Sequence, residues 1–191
     1  PDHRAGDFLG SRVVTPDGKV HLAPPVLLTQ AQKLEADFAA EIASAGKLKL
    51  ITKRAVTTHN SWTHNIEEFV AADRSTNYLY VHPDDAKRIG LGEGDLADVE
   101  SATATVRLPI RVLADLMPGT VALPHGWGHQ HAEGLTVAGK TTGVNVNLLA
   151  ADGPEQLERV SGMAHLTGIP VEVRRAEGPL CPDSWSGIAQ H

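Results

Sequence analysis

Turn signals interrupt this chain about once every dozen residues, and between them only short runs suit regular structure. Pro16-Asp17-Gly18, Pro24-Pro25, Gly92-Glu93-Gly94-Asp95 and Met117-Pro118-Gly119-Thr120 are the clearest of these breaks. The 18 glycines and 12 prolines among 191 residues exceed ordinary usage, which favours many turns joining short elements. Ordinary globular usage, 41% apolar and 21% charged residues, suggests neither disorder nor a coiled coil, and the sequence holds no internal repeat. The expected class is mainly β with small helices, a barrel or sandwich with helical decorations.

The strand-compatible runs are Lys47 to Thr52, Asn77 to Val81, Leu96 to Val99, Thr105 to Leu113, Val121 to Leu123, Val144 to Leu149 and Val171 to Val173. The first alternates lysine with leucine, and the second is rich in aromatic and branched residues. The two central runs alternate as antiparallel neighbours would. A helix is expected from Thr29, where Thr29 and Gln32 have capping-box spacing, Leu34, Phe38 and Ile42 repeat every fourth residue, and Gly46 follows. Ile66 to Ala72 reads as a short helix. Pro83 to Ile89 reads as a two-turn helix, with proline in its first turn, acids before bases, and Gly90 just beyond. Residues 1–28 form an extended lead-in with a hairpin-like turn at Asp17-Gly18.

The net charge of −6 excludes whole-molecule attraction to nucleic acid or an anionic membrane. No apolar run reaches the roughly 18–20 residues of a membrane span. Cys181 is the single cysteine, so no internal disulfide or cysteine-built metal framework is available, and it reads as an ordinary tail thiol. The polar opening, Pro1 to Asp7, has no apolar signal core, and the expected location is the cytoplasm.

Three segments could carry chemistry. The first, Lys53 to Asn65, holds two cations, then hydroxyls, amides and imidazoles around Trp62, and supplies donors for a pyrophosphate or heteroaromatic base. A solvated loop is the plain alternative. The second, Pro124 to His131, flanks Trp127 with Gly126 and Gly128, which would let backbone amides approach a flat ligand. His125 and His129 have the spacing of a helical metal pair, yet both glycines oppose a helix there. The third, Gly143 to Leu148, alternates Asn145 and Asn147 with apolar residues, which places both amides on one strand face or makes them turn formers at a strand mouth. Asp84 and Asp85 read as helix-start acids, one of which could face a purine edge. Dinucleotide-fold, phosphate-loop and serine-hydrolase signatures are absent.

Taken in order, Leu50-Ile51-Thr52-Lys53-Arg54 with the His59 to Asn65 loop, Asn77 to Ala86, Gly90 to Asp95, Met117-Pro118-Gly119, His125 to His129 and Gly143 to Leu148 resemble one family. It is the molybdopterin-dinucleotide-binding domain of the dimethyl-sulfoxide-reductase superfamily, which includes formate dehydrogenases and assimilatory nitrate reductases. The resemblance implies a six-stranded double-psi β barrel over residues 47–177, preceded by a lead-in and helix over 1–46 and followed by a tail over 178–191. It implies molybdopterin guanine dinucleotide with molybdenum or tungsten in a full-length oxidoreductase, and the remaining domains of that enzyme as partners. The metal's protein ligand and the substrate funnel would lie in those domains, so the chain alone would be inactive and without cofactor.

By the same resemblance, Arg54, Ser61 and Thr63 would donate to the pyrophosphate and nucleotide, with Lys53 compensating charge and His59, Asn60 and His64 in the same loop. His125, Asn145 and Asn147 would face the pterin side; Gly126, through close backbone approach, and Asp85, at a purine edge, complete the cofactor-binding candidates on their own chemistry. The Lys53-Arg54 pair departs from the family's usual single arginine. Two other readings stand beside this one. A cofactor-free interaction module on the same barrel requires the polar loop and the histidine loop on different sides, and a small metal enzyme requires His125, His129 and His131 to converge.

Overall fold

The structure, a computed structural model, describes residues 12–71 and 74–178. The opening run to Asp7, Gly10, Cys181 and the tail beyond Gly178 lie outside the described residues. The chain divides into two compact units, the first ending at Ile42 and the second beginning at Ala43.

The first unit holds α1 (Pro25–Ala31) and all but the last residue of α2 (Leu34–Ala43). The single helix expected from Thr29 therefore starts earlier and breaks at Gln32-Lys33. Thr29 is no cap: its hydroxyl donates to the Pro25 carbonyl one turn back, the bond that makes threonine acceptable inside a helix. Proline at the first position of α1 sets the start instead. Leu34, Phe38 and Ile42 line one side of α2 and are exposed. Asp17-Gly18 does form a turn, with the Gly18 N–H donating to Thr15, but strands do not flank it.

The second unit is a closed barrel. Its strands are β1 (Leu48–Lys53), β2 (Leu79–Val81), β3 (Leu96–Glu100), β4 (Thr105–Val112), β5 (Thr120–Pro124) and β6 (Thr167–Arg175), in spatial order β1-β5-β2-β4-β3-β6. Exchanging β1 with β4, β2 with β5 and β3 with β6 maps this order onto itself. The exchange also carries the parallel pair β1/β5 onto β2/β4 and the antiparallel pair β3/β4 onto β1/β6. Two interlocked, twofold-related halves of this kind make a double-psi barrel.

Alternation in each strand points one face inward: Leu48 and Leu50, Leu79 and Val81, Ala97 and Val99, Val106, Leu108 and Ile110, Val171 and Val173 are all buried in one cluster. Strand β5 departs from alternation because all five residues are buried. Closure leaves no free edge among the six strands. Across β3 and β4, Asp98 and Arg107 face each other and form a two-pronged pair at 2.7 and 3.0 Å.

Between strands lie α3 (Glu67–Val70), a single turn, and α4 (Pro83–Ile89). The latter matches its sequence signals: Pro83 opens it, the His82 ring nitrogen accepts from the Asp84 N–H, and Gly90 closes it at φ 72°. Alanine at 90 would hold a side chain in the left-handed region, so Gly90→Ala should lower stability by about 1 kcal/mol in denaturant unfolding. Among the described residues no helix is long and apolar enough to cross a membrane.

Candidate functional site

Because β1 and β5 run parallel in register, from Lys49 beside Thr120 to Lys53 beside Pro124, both chains leave the barrel at the same end. The His125 N–H donates to the Lys53 carbonyl at 3.0 Å, adding one more rung. The polar loop after β1 and the histidine loop after β5 thus begin side by side. There a cleft of about 410 Å³ is lined by Thr52, Lys53, Arg54, His125, Asn147 and Leu166. Four residues singled out from three separate sequence segments, Lys53, Arg54, His125 and Asn147, meet in it.

The polar loop is held by its own bonds. The Thr58 hydroxyl donates to Ala55, Thr63 donates to Thr57 at 2.6 Å, and His59 and Asn60 take positive φ angles of 43° and 60°. In this structure Thr63 therefore gives its one hydroxyl proton to the backbone, which argues against it as a phosphate donor. His59 and Asn60 are exposed and Ser61 half-buried, and none of the three lines the cleft.

The two loops are packed on each other through glycine. Gly126 has φ 92°, and a side chain there would place its first carbon 1.9 Å from the Asn60 carbonyl oxygen. At Gly128 the same atom would lie 2.7 Å from Cβ of Asn145. The close approach expected of these glycines toward a ligand is taken instead by the chain's own loops. Trp127 is buried against Gly143, where an added Cβ would come 2.3 Å from the indole, so it is a packing residue.

His64 is likewise part of this packing and does not reach the cleft surface. It is 1% exposed, with ring centroids 4.4 Å from Trp127 and 5.1 Å from His129. Burial, reinforced by the nearby His129, pushes its pKa down to about 4, so the ring is neutral at physiological pH. Periodicity cannot find such a residue, because loop residues carry no inward-facing repeat.

The two cations differ. The Lys53 ammonium sits 4.0 Å over the Tyr80 ring, an anchored cation–π contact. Arg54 is exposed and, among the described residues, makes no hydrogen bond or ion pair. The guanidinium is thus the cation free to fork onto an anion, and the ammonium supplies fixed positive charge beside it.

Asn145 and Asn147 are not on a strand. Asn145 starts a short 3-10 turn, Val146–Leu149, and its side-chain oxygen accepts from the Asn147 N–H at 3.0 Å. Asn145 is the cap that shapes the turn, and Asn147 is the exposed amide presented on the cleft wall.

Asp85 lies elsewhere. Its carboxylate accepts from the Gly119 N–H at 2.6 Å and from Arg88 at 2.9 Å, and the Gly119 carbonyl in turn accepts from Lys49. These are the starts of β5 and β1, the end of the strand pair away from the cleft. Burial raises its pKa, but the Arg88 and Gly119 bonds outweigh that and hold the carboxyl below its ordinary range. Both oxygens serve the fold, which argues against a purine contact.

Sequence reasoning misses Asn65 and Asn77 as organisers of this end of the barrel. Asn65 accepts from the Val137 and Ala138 N–H groups, fastening the end of the polar loop. Asn77, 2% exposed, donates to the Pro124 and Val144 carbonyls and accepts from the Val144 N–H. An amide at the mouth of an apolar run is the only sign of it in the sequence.

The metal-enzyme reading gains no support: His129 is engaged with the Gly126 carbonyl at 2.9 Å, and among the described residues no three His, Cys, Asp or Glu side chains gather to hold an ion. The interaction-module reading required the two loops on different sides, and the Gly126–Asn60 approach puts them on the same one. A free guanidinium, an anchored ammonium, an imidazole and an amide lie along one cleft instead, a donor set suited to an anionic ligand.

Comparison with known proteins identifies the family. The family model of the molydopterin dinucleotide binding domain matches residues 48–167. Over 118 residues the chain is 30% identical to a tetrathionate reductase of Salmonella typhimurium, covering 53% of this chain and 12% of that protein. Over 132 residues it is 28% identical to the molybdopterin-containing component of the arsenate respiratory reductase of Chrysiogenes arsenatis, covering 64% of this chain and 15% of that protein. The fold is shared with acetylene hydratase from Pelobacter acetylenicus, at a TM-score of 0.64 and 21% identity over 85% of this chain and 24% of that one. With a family match spanning the barrel from β1 into β6, this chain belongs to the molybdopterin-dinucleotide-binding domains of the dimethyl-sulfoxide-reductase superfamily.

Proposed function

We propose that the cleft at the exits of β1 and β5 receives the pyrophosphate and the adjoining pterin side of molybdopterin guanine dinucleotide, carrying molybdenum or tungsten. The observation that supports this most strongly is the meeting of Lys53, Arg54, His125 and Asn147 in one cleft. Arg54 forks onto the pyrophosphate, and Lys53, held on Tyr80, lowers the cost of bringing a second negative charge near. His125 and Asn147 hydrogen-bond the pterin side. Asn145 and Gly126 act one layer behind, shaping the walls.

The chain serves as the cofactor-holding part of a larger oxidoreductase, since it spans only 12% and 15% of the length of two curated relatives. The redox chemistry resides in the bound metal–pterin group, and these residues bind and orient it. The other domains supply the metal's protein ligand and the substrate path, so the chain alone is expected to show no turnover.

Arg54→Ala in the parent enzyme tests the assignment. Loss of a charge-assisted bond costs on the order of 1.5–3 kcal/mol, so retained metal and guanine nucleotide should fall roughly tenfold or more after gel filtration. Lys53→Ala should cost less, because its charge acts without a direct fork. Metal and nucleotide content equal to the unsubstituted enzyme in Arg54→Ala would remove the cleft as the pyrophosphate site.

A further inference from the structure

We propose that Asn77 is a positioning residue that fixes the two walls of the dinucleotide cleft relative to each other. The inference rests on the cleft reading given above. One wall is the chain leaving β5, which carries His125, and the other is the segment after Gly143, which carries Asn145 and Asn147. Within the chain these walls are about twenty residues apart, joined by a long excursion through the histidine loop. Something must hold them in register.

The barrel puts Asn77 where it can do this. Tyr80 faces Ala122 in the antiparallel β2/β5 pair, so three positions back along one chain and three forward along the other bring Asn77 alongside His125. From there its Nδ2 donates to the Pro124 carbonyl at 3.0 Å and to the Val144 carbonyl at 2.9 Å, while its Oδ1 accepts from the Val144 N–H at 2.9 Å. The Ser75 carbonyl adds a rung by accepting from Thr142. Pro124 immediately precedes His125, and Val144 immediately precedes Asn145. One buried amide therefore spans both walls at the residues that lead into the cleft.

Only an amide satisfies this arrangement. It offers two hydrogens to two carbonyls and a lone pair to an N–H, whereas aspartate has no hydrogen to donate and an apolar side chain leaves three backbone groups unpaired. The side chain touches no cleft surface itself, so it acts through the placement of His125 and Asn147.

The test is a double-substitution cycle in the full-length parent enzyme, read as metal and guanine-nucleotide content after gel filtration. Asn77→Ala should lower retention about tenfold and Asn147→Ala about fivefold, the scale of one or two lost neutral hydrogen bonds. Together they should cost less than twofold more than Asn77→Ala alone, because a displaced wall no longer presents Asn147. Should the alanine variant not fold, Asn77→Asp, which keeps the acceptor for Val144, replaces it with the same non-additivity expected. Losses that multiply would make Asn77 a general stabiliser and overturn the proposal. Full retention in Asn77→Ala while Arg54→Ala loses cofactor would also overturn it and leave the cleft assignment standing. Full retention in both would overturn the cleft assignment and this proposal with it.

Discussion

Gly126→Ala is expected to destabilise the barrel unit by about 3 kcal/mol or more, lowering its thermal midpoint by roughly 6–12 °C. Two costs add. At φ 92° the backbone lies where a side chain is strained by about 1–2 kcal/mol. The added carbon would also fall 1.9 Å from the Asn60 carbonyl oxygen, and that neighbour is backbone, which cannot swing away as a side-chain tip could. The polar loop must therefore lift off the histidine loop, taking Arg54 and His125 out of register. Gly94→Ala is the control, since Gly94 also has a positive φ but open space around it, and only the strain cost should appear. Differential scanning calorimetry of the two variants separates the terms. A Gly126→Ala midpoint no lower than that of Gly94→Ala would mean the loops do not pack as described.

Acid should loosen the same junction through His64. Its folded pKa of about 4 lies below the ordinary histidine value of 6.5, so the unfolded chain binds a proton more readily than the folded one. The stability associated with the neutral ring is thus fully present above about pH 6.5 and is lost as pH falls from there toward 4. The shift corresponds to on the order of 3 kcal/mol at most. Aspartates such as Asp85 and Asp95, held below their ordinary value of 3.8, lose their contribution only at lower pH, which keeps the two windows apart. Urea midpoints at pH 7 and pH 4.5 should differ clearly for the unsubstituted protein. In His64→Phe, which keeps a ring against Trp127 and has nothing to protonate, that difference should shrink by most of its size. An unchanged pH slope in the phenylalanine variant would remove His64 as the acid-sensitive group.

The parts of the fold that sequence can reach are those written by local rules. Alternation marks β3 and β4, and Pro83 with Gly90 marks α4 almost to the residue. Boundaries slip where local chemistry has two uses, as with Thr29, whose hydroxyl serves equally as a cap or as a bond to the turn before it. Strand order is a different matter. That β5 lies between β1 and β2 follows from closure, and no window of residues contains it.

The same division holds at the site. Lys53 at the end of β1 and Arg54, His125 and Asn147 beyond the strands stand out as polar chemistry; the parallel exits of β1 and β5 bring the first three together, and the turn capped by Asn145 adds Asn147. His64, Gly126, Gly128 and Trp127 are also polar, small or aromatic loop residues, yet they are spent on packing one loop against another. Composition cannot separate the two groups, because burial between loops depends on distant backbone. A strand placement of Asn145 and Asn147 fails because alternation of polar and apolar residues over so few positions also fits a 3-10 turn. Asp85 reads in sequence as a helix-start acid or a purine contact, and neither reading contains the bond from the start of β5 that it makes.

The position of the dinucleotide in the loaded parent enzyme, seen in a density map, bears most directly on whether these segments form one binding cleft. The pyrophosphate should lie within hydrogen-bonding reach of Arg54, with His125 and Asn147 on the same ligand. A dinucleotide bound with Arg54 left in solvent, or seated at the Asp85 end of the β1/β5 pair, would contradict it.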